Sequence, residues 1–486
     1  MLSAADSIAD VMLRPRARSV VAWTAALIAT AAHLVVAWTS YNTAKFRDDP
    51  AKARADGNFG HTLIDFGGQW LNARLLVTGH GRELYSRAAQ RSVIDDSFPR
   101  ADQAPNAPVS DADNLHGWLV EAPPREPGGA AIGGALYPPT QALLFAPIGF
   151  LSPRIGYRST QVLVIVVTWL CGLFMNRISG RGVWWPVATL LVFGYPGFQG
   201  ALHLGQNSAL SLAILLGGWL LVVRDRELVA GLVWSLLAFK PTWAVAFMLV
   251  PLLTRRWRML AGMFVGGAAL IAATLPFVGL DAWRDWLHVG RTASHFYSLD
   301  ENWVFLSRDL LNIAHRWLLD FSLPLDERGR FSATLIGWLA WASVLAATVI
   351  VAVRRPCTGP VGFGPAFVGL GAWLCCFHFI YYDSLLSLFP VFLLLTNARF
   401  ELPTFHLRPF VLAVVAFLVV YELAFAWLAI EGTMAFGGLA TEGASPPRML
   451  FSTKQHGTPW DTFALLALWA FCGRALVGRE FRAGTE

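Results

Sequence analysis

Charge is sparse in this 486-residue chain: 14% of its residues are Asp, Glu, Lys or Arg, against about 25% in an ordinary soluble domain. Cysteine is scarcer still. The five present (Cys171, Cys357, Cys375, Cys376 and Cys472) all lie in or beside apolar runs, which excludes a disulfide framework and any zinc-type spacing and makes them small apolar fillers. No glycine-rich phosphate loop is present, so a nucleotide-driven reaction is not expected. No basic stripe or aromatic stacking module is present either, so the net charge of +6 does not point to nucleic acid. What fills the space is apolar: 55% hydrophobic and 13% aromatic residues, with a mean hydropathy of +0.49. Repeated apolar runs of helical length exclude disorder, a fibrous protein and a string of soluble domains. They point to an all-α polytopic membrane protein forming one integral domain over 1–486.

The apolar runs fall at 19–39, 157–176, 183–200, 207–223, 228–239, 242–253, 259–279, 333–353, 363–380, 382–396, 409–430 and 460–476, about twelve transmembrane helices. The first is too long for the core of a cleavable signal peptide. Basic residues cluster between runs: Arg14/Arg16/Arg18, Arg177/Arg181, Arg224/Arg226, Arg255/Arg256/Arg258, Arg354/Arg355, Arg399/Arg408 and Arg479/Arg482. Successive clusters are an even number of crossings apart, so all fall on the cytoplasmic side together with both termini, as the positive-inside rule requires. One stretch, Tyr137 to Pro153, would break this scheme if it crossed. At about 1.5 Å per residue it covers about 24 Å, short of a core of about 30 Å. It reads as a membrane-surface or re-entrant helix on the outer face, with a tilted span as the alternative. The outer face then carries the long segment 40–156 with its juxtamembrane helices and the loops 280–332 and 431–459. The cytoplasmic connections are too short for a folded domain.

The few polar groups left over are the candidates for chemistry. His61 to Leu76 reads as an amphipathic helix on the bilayer, and Asp65, between Leu63, Ile64 and Phe66, would be a partly desolvated carboxylate with raised basicity; a helix cap or a solvated face is the plainer reading. Asp95 to Gly134 is rich in Pro, Asp, Ala and Gly and reads as a surface excursion. Lys240, followed by Pro241, interrupts about twenty-five apolar residues, and a lysine at mid-bilayer costs about 2.5–3.5 kcal/mol, which marks it for function unless it snorkels. The proline adds a polar niche at the kink. His378 and Asp383 flank an aromatic break with Tyr381 and Tyr382, an Asp–His pair open to structural, ligand-binding or proton-handling roles. Asn302 and Arg308 are further candidates from the loop 280–332.

Taken in order, these pieces resemble the polyprenyl-phosphate-sugar-dependent glycosyltransferases of the GT-C superfamily, specifically glycosyltransferase family 87. The segments that carry the resemblance are Asp65-Phe66 with the helix to Gly79 and Leu84-Tyr85; Tyr137-Pro138-Pro139 with Pro147; Pro196 with Gly205-Gln206-Asn207; Ala230-Gly231 with Lys240-Pro241; and Trp283 with Asn302 and Arg308. In the last third many relatives carry Trp-Asp/Glu-His-His, where this chain has His378-Phe379-Ile380-Tyr381-Tyr382-Asp383. The resemblance implies a GT-C fold, a lipid-linked monophosphosugar as donor, an outward-facing site and an acidic base in the first outer loop.

The chemistry agrees with that. Sugar transfer from a lipid phosphate needs a base for the acceptor hydroxyl and cations for the departing phosphate. Asp65 is expected in the first role, Lys240 and then Arg308 in the second, with Tyr137, Gln206, Asn207, Asn302, His378, Tyr382 and Asp383 binding substrate. The partners are then a polyprenyl-phosphate sugar, mannose or similar, membrane lipids, and a glycan, glycolipid or protein acceptor. No metal or other cofactor is expected. A transporter or lipid flippase lined by Lys240, His378 and Asp383 is the rival reading, although no inverted repeat is visible.

Overall fold

A computed structural model describes residues 15–43, 65–86, 88–90, 92–93, 136–323, 327–396, 407–438 and 459–478. Arg14, Arg399, Arg479, Arg482 and the excursion 95–134 lie outside the described residues. Among those described the chain is all-α, with no strand and one isolated bridge, Ser307 to Ile380.

Among the described residues five helices are long and apolar enough to cross a membrane: α1 (Pro15–Thr43), α5 (Pro153–Ile178), α11 (Trp257–Val278), α16 (Phe331–Arg354) and α20 (Trp460–Val477). They expose most of their apolar surface. The buried share of their apolar windows is 6% in α1, 22% in α16, 28% in α11 and only 50% in α5. Side chains such as Val20, Ile28, Phe264 and Leu339 face outward, as lipid-facing helices require. Shorter helices fill the interior. α8 (Ser208–Val223), α17 (Phe363–Leu374) and α18 (Leu388–Leu395) are apolar all round and almost wholly buried, the pattern of core rather than perimeter helices. Trp219 stacks on Trp234, and Phe247 and Phe389 pack edge-on or tilted against these rings and Trp243 among them. Where α9 (Glu227–Ser235) meets α11, Gly231 and Gly262 let the backbones touch: a Cβ on Gly231 would lie 2.0 Å from the Met259 carbonyl oxygen.

Several apolar runs are interrupted, and the interruptions matter most. The run 183–200, expected as one span, forms α6 (Trp185–Phe193) and α7 (Phe198–Leu204). Pro196 has no N–H to donate and Gly197 takes a left-handed turn at φ +91°. The run 363–380 ends as a helix at Leu374, after which His378 adopts φ +47°. The segment Tyr381–Ser387 is a buried 3₁₀ stretch leading into α18. The helix of α9 continues as a 3₁₀ turn to Phe239, breaks at Lys240 and resumes as α10 (Pro241–Leu253). Tyr137 to Pro153 forms no continuous helix but two short ones, α3 (Pro139–Leu144) and α4 (Ala146–Gly149), joined at Phe145. α19 (Leu407–Gly438) runs on past residue 430 to the Gly437-Gly438 pair.

One expectation is corrected. The segment expected to lie one-faced on the bilayer forms α2 (Asp65–Val77), and from Phe66 to Ala73 every residue is buried. Its apolar residues are spread around the helix rather than gathered on one side. Glycines also let neighbours close over it: a Cβ on Gly149 would lie 2.6 Å from the Ala73 backbone, and one on Gly205 would lie 2.8 Å from Phe66 Cβ. α2 is therefore a core element of a second apolar cluster with Tyr85, Ala142, Tyr157, Val278 and Val289.

At one end of the bundle Arg256 joins three basic turns, pairing with Glu227 at 2.7 Å and donating to the Thr358 carbonyl.

Candidate functional site

The helix interruptions converge on one another. Gly205 ends α7 in a left-handed cap at φ +62°, which turns the chain so that Gln206, Asn207 and Ser208 enter the interior at the start of α8. All three are buried. Gln69 of α2 meets them there: its amide donates to the Gly205 carbonyl at 3.1 Å, and Asn207 Nδ2 donates to Gln69 Oε1 at 3.4 Å. Asp65 precedes Gln69 by four residues, one helical turn or about 6 Å along the axis. The side chains of Asp65 and Asn302 lie outside the described residues, so these two are placed by their backbone alone, at the start of α2 and in α13 (Glu301–Leu306).

A chain of hydrogen bonds runs on from Gln206. Tyr137 OH donates to Gln206 Oε1 at 3.1 Å, and Gln206 Nε2 donates to Tyr382 OH at 2.8 Å. Tyr137 is itself tied from behind by Tyr85 OH, which donates to its carbonyl at 2.6 Å. The next residue, Asp383, is 1% exposed and accepts Lys240 Nζ at 2.8 Å on Oδ1 and 2.6 Å on Oδ2. Ser208 Oγ donates to Oδ1 at 3.1 Å, and Trp373 Nε1 fixes the Asp383 backbone carbonyl. The Tyr382 ring lies 5.4 Å from the ammonium. Because the helix breaks before Pro241, the Lys240 side chain turns toward Asp383. A charge that would cost several kcal/mol alone in an apolar medium is compensated by an ion pair with a hydrogen bond to each carboxylate oxygen.

Tyr137, Gln206, Asn207, Lys240, Tyr382 and Asp383 therefore come together, joined by Gln69 and Ser208. His378 and Asp383 do not pair with each other: His378 Nε2 meets Ser294 Oγ at 2.7 Å on α12 (Asp281–Leu299). A non-glycine residue held left-handed costs about 1–3 kcal/mol, and His378 bears that cost at the edge of this cluster.

Arg308 lies in a neighbouring cluster. It is 2% exposed and pairs with Asp461, 1% exposed, at 2.9 Å. Its guanidinium also donates to the carbonyls of Phe305, Leu306 and Ser307 and to Tyr421 OH. Ser384 Oγ donates to the same Asp461 at 2.7 Å, so the residue after Asp383 is anchored to α20. The Arg308 N–H donates to the Phe379 carbonyl at 3.1 Å, which stitches the Ser307 turn to the 378–383 segment.

Four of these partners were missed in the sequence. Gln69 carried a signal, sitting one turn from Asp65 on the helix already singled out. Ser208 continues the Gln206-Asn207 pair. Asp461 and Glu422 are acids within apolar helices, a type of residue that marks a buried partner. Glu422 accepts the backbone N–H groups of Gly197 and Gln199 at 3.2 and 3.0 Å, holding the turn that supports α7.

The model of glycosyltransferase family 87 matches residues 135–376. Tyr137, Gln206, Asn207, Lys240, Asn302 and Arg308 fall within that span; Asp65, His378, Tyr382 and Asp383 fall outside it. No curated protein matches the chain.

Proposed function

From the premise that residues 135–376 belong to glycosyltransferase family 87, we propose that this membrane protein transfers a sugar, mannose or a similar one, from a polyprenyl-phosphate donor to an acceptor hydroxyl on the outer face of the cytoplasmic membrane. The fold is then the GT-C architecture, with about twelve spans and cytoplasmic termini.

One observation carries the reading: an ion pair whose cation is partly exposed, Lys240–Asp383, sits in a hydrogen-bonded polar cluster among mostly apolar helices. A lipid-linked phosphosugar has the complementary form, a charged and hydroxylated head on an apolar tail. Its tail would lie along the apolar helices beside Lys240, and burial of its carbons would contribute about 0.8 kcal/mol per CH₂. Gln206, Asn207, Tyr137 and Tyr382 supply donors and acceptors for the head, and Asn302 and His378 are kept as further substrate-binding candidates.

In the reaction Asp65 accepts the proton of the acceptor hydroxyl, whose oxygen attacks the anomeric carbon. The bond from that carbon to the phosphate oxygen breaks, and its electron pair stays on the phosphate. Lys240 stabilises the charge that builds there. Attack on the face opposite the leaving phosphate makes this a single displacement with inversion. Arg308, held by Asp461, backs the site from the α20 side.

The test is Asp65→Asn in the purified full chain, assayed with polyprenyl-phosphate mannose and lipid or glycan acceptors. Loss of a general base lowers turnover by about 10²–10⁴-fold, with donor binding retained. Undiminished transfer removes Asp65 from the mechanism, and substrate translocation without a covalent product would replace the transferase reading by transport.

A further inference from the structure

Lys240 is already engaged in this structure. An ammonium has three N–H donors, and two of them lie on Asp383, one on each carboxylate oxygen, at 2.8 and 2.6 Å. The pair is also lopsided: Asp383 is 1% exposed, whereas the Lys240 side chain is 13% exposed. The cation is reachable and its anion is not. A phosphate arriving at the reachable side meets one remaining N–H and, close behind it, a carboxylate of its own sign.

We infer that Asp383 occupies the place on Lys240 that the donor phosphate takes, so that donor binding at this site is an exchange of anions. The inference rests on the reading of Lys240 as the phosphate ligand. Asp383 can give up the ammonium without moving its backbone. Its carbonyl stays bound by Trp373 Nε1, and its 3₁₀ segment is pinned by Ser384 to Asp461 and by Ser387 to Tyr195. Ser208 Oγ remains as a donor to the released carboxylate. The exchange is thus a side-chain rotation between fixed anchors. Asp383 keeps Lys240 aimed when no donor is present, and it weakens donor binding by competing for the same ammonium. It lies seven residues beyond the end of the family match at 376, so this counter-ion is a feature of the chain's own last third.

The measurement is binding of a polyprenyl phosphate without sugar to the detergent-solubilised full chain, for wild type, Asp383→Asn and Lys240→Gln. Removing the resident anion relieves a competition equal to a charge-assisted hydrogen bond, so D383N tightens binding about 10- to 100-fold, while K240Q weakens it. Equal or weaker binding by D383N overturns the exchange; if K240Q still weakens, the phosphate reading of Lys240 survives. If K240Q binds like wild type, that reading itself fails and the exchange with it. Where D383N does not fold, the infrared difference spectrum of wild type on adding the same lipid decides. A shifted carboxylate band that moves in Asp383→Glu supports exchange, and an unchanged carboxylate region overturns it.

Discussion

Arg308→Met separates two roles that a buried arginine near a phosphate site can have. The Arg308–Asp461 pair is closed on both sides, at 2.9 Å with 2% and 1% exposure. The guanidinium also satisfies the three carbonyls at the end of α13. Methionine fills much of the volume but leaves Asp461 charged, buried and without its cation. Removing one partner from such a pair costs about 3–5 kcal/mol, a large part of a typical total of about 5–15 kcal/mol. The double variant R308M/D461L removes both charges together, and an apolar replacement of a whole pair is often near neutral. It is therefore expected to recover most of the loss, short of the orphaned carbonyls and the Ser384 bond. The assay is thermal unfolding of the full chain in detergent for the two single variants and the double, read as a cycle, beside polyprenyl-phosphate binding. Wild-type stability in R308M together with lost phosphate binding would refute this and make Arg308 a donor ligand.

Two further perturbations test the frame of the site. Gly197→Ala combines a left-handed φ of +91° with a Cβ 2.4 Å from the Tyr382 carbonyl oxygen, and is expected to destabilise by about 2–5 kcal/mol. The control Gly180→Ala, at φ +61° with nothing within 4 Å, isolates the backbone strain of about 1–2 kcal/mol; equal losses in the two variants would show that the Tyr382 contact is soft. His315, at the start of the short helix His315–Leu318 ahead of α16, has its imidazole pKa lowered by burial, a shift partly opposed by Asp309 and by a hydrogen bond from the ring to the Ser298 backbone. The folded protein thus binds the proton less readily than the unfolded chain, and stability falls as pH drops below about 6.5 toward the folded pKa. His315→Gln is expected to flatten that part of the stability–pH curve, and an unchanged slope counts against it.

Much of this arrangement was legible in the sequence because membranes make polar residues conspicuous. The break at Lys240-Pro241 and the turn at Gly205 announce themselves by residue type, and both fall at the site, whereas the Pro196-Gly197 break was hidden inside a run expected as one span. The two pieces of 137–153 were foreshadowed by their prolines and insufficient length. α2 was misread because sequence reports apolar content and not what packs on it; the glycines that let neighbours cover it, Gly149 and Gly205, are 84 and 140 residues from Asp65. The partners of the charges were invisible for the same reason. Lys240 and Asp383 are 143 residues apart, and Arg308 and Asp461 are 153 apart. No local pattern encodes contacts of that range.

Those pairings change how a polar residue inside an apolar helix should be weighed. In the sequence Lys240 stood first by its burial cost, Arg308 second as a loop residue, and Asp383 as half of an Asp–His pair of open role. Closure ranks them. Arg308–Asp461 is sealed on both sides and all three guanidinium nitrogens donate to the protein, so its return is a fixed junction between the Ser307 turn, the 381–387 segment and α20. Lys240–Asp383 has the same chemistry but leaves the cation partly open and one N–H unspent, beside tyrosine and amide groups already joined to one another. A pair that is half sealed is stable enough to fold around and loose enough to be displaced, which is what a site for a charged lipid head requires. The uneven burial of its two charges, more than the presence of either, is what makes the Lys240 break the place to look for the reaction.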